Sequence, residues 1–189
     1  PFGYGLSYSS FSYKDMKVSK TEEGYKVSVE VTNNGEMDAS EVVQVYSKVK
    51  DSKVLRPLKE LKGFTKVHLK AKESKVVEVE IKEEDLKIRQ ESWKLEKGIY
   101  TFEICKNVNT VILSKDVEIE SNDIISSDDN VKDLYESKDK LLAMTDKDYE
   151  RMVGYEITLE PITRPYNLNS PVAKFSSFGG KILYGAIRK

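Results

Sequence analysis

Hydrophobic and polar residues alternate with a period close to two from about Ser10 to Glu120. In the clearest stretch, Tyr25 to Thr32, hydrophobic residues at odd positions are separated by lysine, serine, glutamate and threonine. This alternation is typical of β-strands with one face in a core and the other in water. Similar stretches lie near residues 11–18, 42–49, 59–69, 77–81, 100–104 and 111–119. About seven short strands predict a mainly β protein built as an antiparallel β-sandwich.

Breaks in the alternation indicate where strands bend or end. Asn33-Asn34-Gly35 is a sequence that can adopt the positive φ angles of a tight reversal. Gly63 interrupts the stretch at 59–69, and the spacing between Tyr13 and Met16 indicates a β-bulge in the first strand. We therefore expect hairpins between successive strands and at least one local bulge.

The pattern changes near Ser121, where short helices replace strands. Ser126 to Asp129 is typical of a helix start, because its acids complement the positive end of the helix dipole. Thr145 to Asp148 resembles a capping box, and Gly154 is a suitable C-terminal stop. Between them, Tyr149, Met152 and Val153 form an apolar stripe.

The last part of the chain predicts an extended stretch followed by an apolar stripe. From Tyr155 to Pro171, three prolines disfavour regular structure. Hydrophobic residues then recur near helical spacing from Val172 to Ile187, broken only by the pair Gly179-Gly180. We expect this tail to dock on the sandwich, on another domain or on a second copy. The predicted organisation is a linker at 1–9, a sandwich at 10–121 and a helical and extended tail at 122–189.

Composition allows one hydrophobic core with a strongly charged surface. The 189 residues are 39% hydrophobic and 33% charged, and 31 basic against 32 acidic side chains give a net charge of −1. Nucleic acid and anionic membranes are not expected partners, because both reward clustered positive charge. No apolar run approaches the roughly 20 residues that span a bilayer. One cysteine and a surface rich in lysine and glutamate favour a cytoplasmic location.

Candidate reactive residues have simple structural interpretations. Cys105 is the only cysteine, so an internal disulfide is excluded, and we expect it to be a small buried hydrophobe. His68 is the only histidine, and nothing places it beside Cys105 as a base. The acidic cluster at 83–85 is interpreted as a solvated turn that tucks Leu86 into the core. No metal site and no cofactor are expected.

Four segments carry a resemblance to a known family. They are Pro1 to Tyr8, Val31 to Gly35 with Glu41 to Tyr46, Arg56 to Phe64 continued by Val67 to Leu69 and Glu73-Ser74, and Gly98 to Thr101. In order and spacing they resemble the C-terminal fibronectin type III-like domain of glycoside hydrolase family 3, the β-glucosidase and β-xylosidase family. One departure is Lys72, which stands where the family often has glycine. The tail from Ser121 is similar to an extension found in some bacterial members.

The resemblance implies a seven-stranded antiparallel sandwich of the immunoglobulin or fibronectin type III type, with a short-helical C-terminal extension. It also implies an accessory domain, since the family's nucleophilic aspartate lies on a barrel domain and the acid/base residue usually comes from elsewhere. No position here matches either catalytic residue, so we expect no activity from this chain alone. The expected partners are the catalytic domains of the same polypeptide, which would hydrolyse β-glucosides or related glycans.

Aromatic residues supply the candidate binding positions. The resemblance implies that Phe2, Tyr4 and Tyr8 bury against a neighbouring domain, where Arg56 could form a salt bridge or stay merely exposed. Trp93 could stack on a sugar ring, although packing across one end of the sandwich is the favoured interpretation. Tyr100 is placed like a tyrosine corner, a structural hydrogen-bonding device.

Three functions remain open from the sequence. The first is the non-catalytic accessory domain that stabilises or supports the catalytic domains. The second is a carbohydrate-binding module, with a β-glucan or glycoside ligand, which depends on Trp93 and the tyrosines. The third is a structural or oligomerisation element, which depends on the stripe from Val172 to Ile187.

Overall fold

The structure is a computed structural model and describes residues 1–135 and 138–156. It divides into two units, Pro1–Lys132 and a second unit that begins at Asp133.

The first unit contains the predicted sandwich. Its strands are β1 (Phe11–Lys20), β2 (Gly24–Asn33), β3 (Ala39–Val49), β4 (Glu60–Leu69), β5 (Ser74–Lys82), β6 (Ile88–Arg89), β7 (Trp93–Lys94), β8 (Gly98–Asn107) and β9 (Thr110–Ile119). One sheet has three strands in the order β1-β2-β5, and the other has four in the order β4-β3-β8-β9, with antiparallel pairing throughout. The expected seven-strand sandwich is therefore confirmed. A two-stranded hairpin, β6–β7, is additional.

The core lies between the two sheets and contains the inward half of the alternating residues. On β2 every second residue from Tyr25 to Val31 is buried, as the pattern predicts. The rings of Tyr25 and Phe102 lie 5.7 Å apart, joining the two sheets. Leu86 is also buried, at the end of a 3-10 helix over Glu83–Leu86, which confirms its expected place in the core.

Register shifts interrupt three of the strand pairs, including two in the pairing of β8 with β9. The pairing of β1 with β2 shifts between Lys14 and Lys17, where Asp15 has a φ of 57°, so the predicted bulge is confirmed. The pairing of β3 with β4 shifts beside Gly63. A Cβ atom at Gly63 would lie 2.6 Å from Val79 Cγ1 of the opposite sheet. Glycine at this position therefore lets the two sheets approach closely.

The turn after β2 is held by a side chain instead of by positive φ angles. None of Asn33, Asn34 and Gly35 has a positive φ, so that expectation is wrong. Instead, Asn33 is buried, and its Oδ1 accepts hydrogen bonds from Gly35 N at 2.9 Å and Ser9 Oγ at 2.5 Å. Its Nδ2 donates to backbone oxygens in two loops, including Lys70 O at 3.1 Å. These hydrogen bonds stabilise the turn, which therefore does not need a left-handed backbone conformation.

The helices match the predicted capping signals. In the first unit, α1 (Asp129–Lys132) begins where the acids of residues 126–129 indicate a helix start. The second unit contains a 3-10 helix (Asp133–Tyr135), α2 (Lys138–Leu142) and α3 (Asp146–Val153). Thr145 caps α3 by accepting from Asp148 N at 3.2 Å, and Gly154 ends it with a φ of 80°. The extended stretch with its prolines and the stripe from Val172 to Ile187 lie outside the described residues.

Candidate docking site

The outer face of the three-stranded sheet is exposed to water, and its polar side chains pair with one another across neighbouring strands. Lys14 and Lys26 pair across strands with Glu30 and Glu78, each at 3.0 Å. Thr32 and Ser74 hydroxyls lie 2.7 Å apart in the same face. Cross-strand pairs of this kind satisfy the polar groups of an exposed sheet face without a partner molecule.

The outer face of the four-stranded sheet is different, because its central polar residues are buried. Gln44 and Glu103 are buried there, and the Tyr46 hydroxyl donates to Gln44 Oε1 at 3.1 Å. Glu103 forms salt bridges with Lys48 at 2.8 Å and with Lys59 at 2.6 Å. Burial alone would raise the pKa of Glu103, but the two lysines outweigh it and hold that pKa below its usual range.

The N-terminal segment is attached to this face by its backbone. Gln44 Nε2 donates to Gly3 O at 3.0 Å, and Val108 N donates to Phe2 O at 3.0 Å. Gly3 has a φ of 74°, and a Cβ atom there would lie 2.1 Å from Gln44 Oε1. Glycine is required at this contact both for its backbone angle and for its lack of a side chain.

The side chains of the same segment face water. Phe2, Tyr4, Leu6 and Tyr8, which we call the N-terminal apolar strip, have exposed fractions from 59% for Tyr4 to complete exposure for Tyr8. A contiguous exposed apolar patch on a fixed backbone is a feature of interaction surfaces. The structure thus places three of the predicted contact residues together in one strip.

A groove of about 720 Å³ is lined by the N-terminal segment and by residues of β1, β3, β4, β8 and β9. Its volume is within the range of ligand pockets. Phe64 and Val42 line it and are exposed, while Glu41, Tyr13 and Lys106 supply polar groups. Burial raises the pKa of the Glu41 carboxyl. Burial and the nearby Glu41 charge raise the pKa of Tyr13.

Arg56 lies away from the groove lining and is bound within its own loop. It pairs with Glu60 at 2.8 Å and lies 3.6 Å from Glu96, with only 9% of its side chain exposed. Glu96 also accepts hydrogen bonds from the loop, from Lys53 N and Ser52 Oγ, each at 2.7 Å. The structure therefore gives Arg56 internal partners, and its contact with another domain stays a prediction.

Trp93 is exposed to 65% in β7, so the expectation that it packs across one end of the sandwich is wrong. The hairpin is bound to the segment after β9, through reciprocal bonds between Gln90 and Ser126 at 2.8 and 3.1 Å. Leu95, just beyond the hairpin, is the residue that enters the core. Trp93 is the only aromatic residue between Ile88 and Lys94. The hairpin itself therefore offers one ring and no flat aromatic platform.

Two predicted structural roles are confirmed. The Tyr100 hydroxyl is buried and donates to Glu96 O at 2.9 Å, which is the bond expected of a tyrosine corner. Cys105 is buried, and burial raises its pKa to about 11. A thiol that resists ionisation is a poor nucleophile.

The described lining of the groove lacks the pair of carboxyl groups that glycoside cleavage needs. Retaining and inverting glycosidases both need two carboxyl groups across the scissile bond. Among the described residues that line the groove, Glu41 is the single carboxylate. Across residues 1–135 and 138–156, no cluster of three potential metal ligands is present. Over the same ranges, no helix is long and apolar enough to cross a membrane.

The sequence pattern did not reveal three residues that shape the site. Gln44 looks like an ordinary outward polar position, yet it fixes a segment 41 residues away. Glu41 and Phe64 likewise occupy ordinary strand positions. The only available signal was an outward phenylalanine among lysines and threonine on β4.

Antiparallel sheets of three and four strands with a tyrosine corner define an immunoglobulin-like sandwich of the fibronectin type III class. Residues 41–108 match the family model of the fibronectin type III-like domain. The match agrees with the resemblance to the C-terminal domain of glycoside hydrolase family 3 enzymes that the sequence indicates.

Several known glycosidases are similar over this region. A β-glucosidase from Kluyveromyces marxianus is 39% identical over 127 residues, covering 65% of this chain and 15% of that protein. An exo-α-(1→6)-L-arabinopyranosidase from Bifidobacterium breve is 44% identical over 108 residues, covering 55% of this chain and 14% of its own length. The crystal structure of DesR, a β-glucosidase from Streptomyces venezuelae in complex with D-glucose, is 34% identical with a TM-score of 0.60, covering 64% and 16%. The chain thus spans about a seventh of the length of these relatives.

Proposed function

We propose that the chain is a non-catalytic accessory domain of a larger β-glycosidase. It docks on the catalytic domains of the same polypeptide through the N-terminal apolar strip and the outer face of the four-stranded sheet. Its role is to stabilise those domains, which hydrolyse O-glycosidic bonds of β-glucosides or related glycans. The similarity to glycosidases several times longer than this chain supports the proposal.

The observation that carries the proposal is the contrast between backbone and side chains in the segment Pro1 to Tyr8. Its backbone is fixed to Gln44 and Val108, while its apolar side chains remain in water. Exposing these side chains has a cost of roughly 25 cal/mol per Å² of apolar area. A partner surface would remove that cost without any reordering of the segment, because the backbone is already in place.

The test compares alanine variants in the longer enzyme and in the isolated chain. Replacing Phe2, Tyr4 and Tyr8 by alanine is expected to lower the unfolding temperature of the longer enzyme and to leave that of the isolated chain unchanged. Val76→Ala is the matched control, because Val76 is 67% exposed on the opposite sheet. Equal effects of the strip variants and of Val76→Ala in the longer enzyme would contradict the docking surface.

The second candidate, carbohydrate binding, is favoured by one observation, the exposure of Trp93. Affinity electrophoresis of the chain in soluble β-glucans tests it. Retardation that is lost in Trp93→Ala supports binding, and unretarded migration excludes it for those glucans. The third candidate, oligomerisation through residues 172–187, stays a prediction. It is tested by deleting the residues after Asn169 and measuring the oligomeric state of the longer enzyme.

A further inference from the structure

Glu41 is a half-buried carboxylate in the groove that has no salt bridge among the described residues. Lys106 also lines the groove and its charge acts on Glu41, but its side chain is exposed and the two form no ion pair within 4.0 Å. Other carboxylates of the sandwich are paired with lysine or arginine, including those of residues 30, 60, 78, 96, 103 and 116. Glu41 thus differs from these carboxylates in lacking a cation.

The Tyr13 hydroxyl lies beside this carboxylate and interacts with it. It is buried, and among the described residues no hydrogen bond of normal geometry satisfies it, although its proximity lowers the pKa of Glu41 and partly offsets the effect of burial. Buried polar groups without partners are rare in native proteins, and each one requires an explanation. A buried hydroxyl without a well-formed hydrogen bond lies next to a carboxylate without a cation, and this pair at one wall of the groove favours a cationic ligand group there.

Gln44, a buried amide in the lining of the groove, is already satisfied. Gln44 Nε2 donates to Gly3 O at 3.0 Å and to Lys106 O at 3.2 Å. Its Oε1 accepts from the Tyr46 hydroxyl at 3.1 Å. The unmet requirement of the groove is therefore for a hydrogen-bond donor with positive charge. A saccharide, which brings donors and acceptors together without charge, fits this requirement less well.

The aromatic residues that line the groove favour an arginine side chain over a lysine side chain as the cation. Tyr4, Phe11 and Phe64 line the groove along with Glu41. An arginine guanidinium stacks on aromatic faces and can donate two parallel hydrogen bonds to one carboxylate. A lysine ammonium is more strongly hydrated and lacks the planar fork.

We propose that Glu41 is the receptor for an arginine side chain of the neighbouring catalytic domain, which enters the groove between the N-terminal segment and β4. The inference rests on the proposed docking function and adds the chemistry of the partner to it. The guanidinium forms a salt bridge with Glu41 and stacks on the aromatic residues that line the groove. It also places a charged hydrogen-bond donor beside the Tyr13 hydroxyl. The pairing also sets the register of docking, since the apolar strip alone is not directional.

The test measures arginine reactivity in the longer enzyme with phenylglyoxal, followed by mass spectrometry. In the unmodified enzyme, one arginine outside this chain is expected to be protected. Glu41→Gln is expected to raise its labelling rate about tenfold, the equivalent of losing one charge-assisted hydrogen bond. Glu22→Gln is the matched control, because Glu22 is exposed and has no salt bridge within the described ranges. It is expected to change no labelling rate.

A second measurement compares the direction in which Glu41→Gln shifts the unfolding temperature of the isolated chain and of the longer enzyme. In the isolated chain Glu41→Gln removes an unpaired carboxylate, so its unfolding temperature is expected to stay the same or rise. In the longer enzyme the same variant is expected to lower the unfolding temperature. If Glu41→Gln alters no arginine's reactivity while the strip variants still destabilise the longer enzyme, the arginine receptor is wrong and docking stands. If the strip variants have no effect either, the docking proposal itself is wrong.

Discussion

Lys72 occupies a left-handed backbone position, with a φ of 59°. The turn therefore keeps the conformation for which glycine is suited, although lysine stands there. Lys72 also pairs with Glu36 at 2.6 Å, but both side chains are exposed and such pairs contribute little. At this position the backbone, more than the ion pair, determines the effect of a substitution.

We predict that Lys72→Gly is more stable than Lys72→Ala by about 1 kcal/mol, because both lose the ion pair and only glycine relieves the left-handed strain. Urea denaturation of the two variants measures the difference. Coincident transitions would show that this turn relaxes without cost.

Gly63 permits the close approach of the two sheets beside the bulge in β4. A Cβ atom there would lie 2.6 Å from Val79 Cγ1, whereas one at Gly5 would meet nothing within 4 Å. Gly63→Ala is expected to reduce the free energy of unfolding by about 1–3 kcal/mol through overpacking. Gly5→Ala is the control and is expected to change it by less than about 0.5 kcal/mol. Chemical denaturation of both variants checks the prediction, which a harmless Gly63→Ala would refute.

At the scale of elements, the strands of the four-stranded sheet are joined on their outer face by the cluster of Glu103, Lys48 and Lys59. Because the pKa of Glu103 is lowered in the folded state, its contribution to stability is present above the unfolded pKa. That contribution is lost as the pH falls through the lowered folded pKa. The cluster should therefore stabilise the sheet at neutral pH and fail in acid.

Glu103→Gln is expected to destabilise the chain at neutral pH, where it leaves two lysines beside an uncharged side chain. The difference from the unmodified chain should shrink as the pH is lowered to about 3, where carboxylates become protonated. Urea midpoints measured across this range report the difference. If the difference in urea midpoint between the variant and the unmodified chain stays constant down to about pH 3, Glu103 is not the titrating group.

The sequence predicted those elements whose structure is determined by residues close together in the chain. The run from Tyr25 to Val31 predicted a half-buried strand, and Thr145 with Gly154 predicted both ends of α3. The hairpin β6–β7 was not predicted, because two-residue strands are too short for alternation to show. The turn at Asn33 was assigned the wrong mechanism, because its hydrogen bonds reach residues as far as 37 positions along the chain.

At the scale of the whole molecule, the two faces of the sandwich differ in how their polar groups are satisfied. The outer face of the three-stranded sheet pairs its own charges across strands. The outer face of the four-stranded sheet buries Gln44 and Glu103, carries the N-terminal segment and supplies part of the lining of the groove that contains Glu41. This asymmetry supports the proposal that the side with the four-stranded sheet meets the catalytic domains.

The candidate site was only partly predictable. Phe2, Tyr4 and Tyr8 were identified because aromatic residues stand close together in a segment that resembles an interdomain linker. The bond from Gln44 to Gly3 O and the groove beside Glu41 depend on contacts between distant parts of the chain. No local pattern records such contacts. Trp93 was misplaced for a related reason, since the segment that anchors its hairpin begins after β9.

Hydroxyl-radical footprinting of the isolated chain and of the longer enzyme tests the proposed docking surface, because it reports side-chain exposure. If the chain docks as proposed, Phe2, Tyr4, Tyr8 and Phe64 react strongly in the isolated chain and become protected in the longer enzyme, while Val76 reacts equally in both. Protection of Val76 with unchanged reactivity of the N-terminal apolar strip would contradict this docking surface.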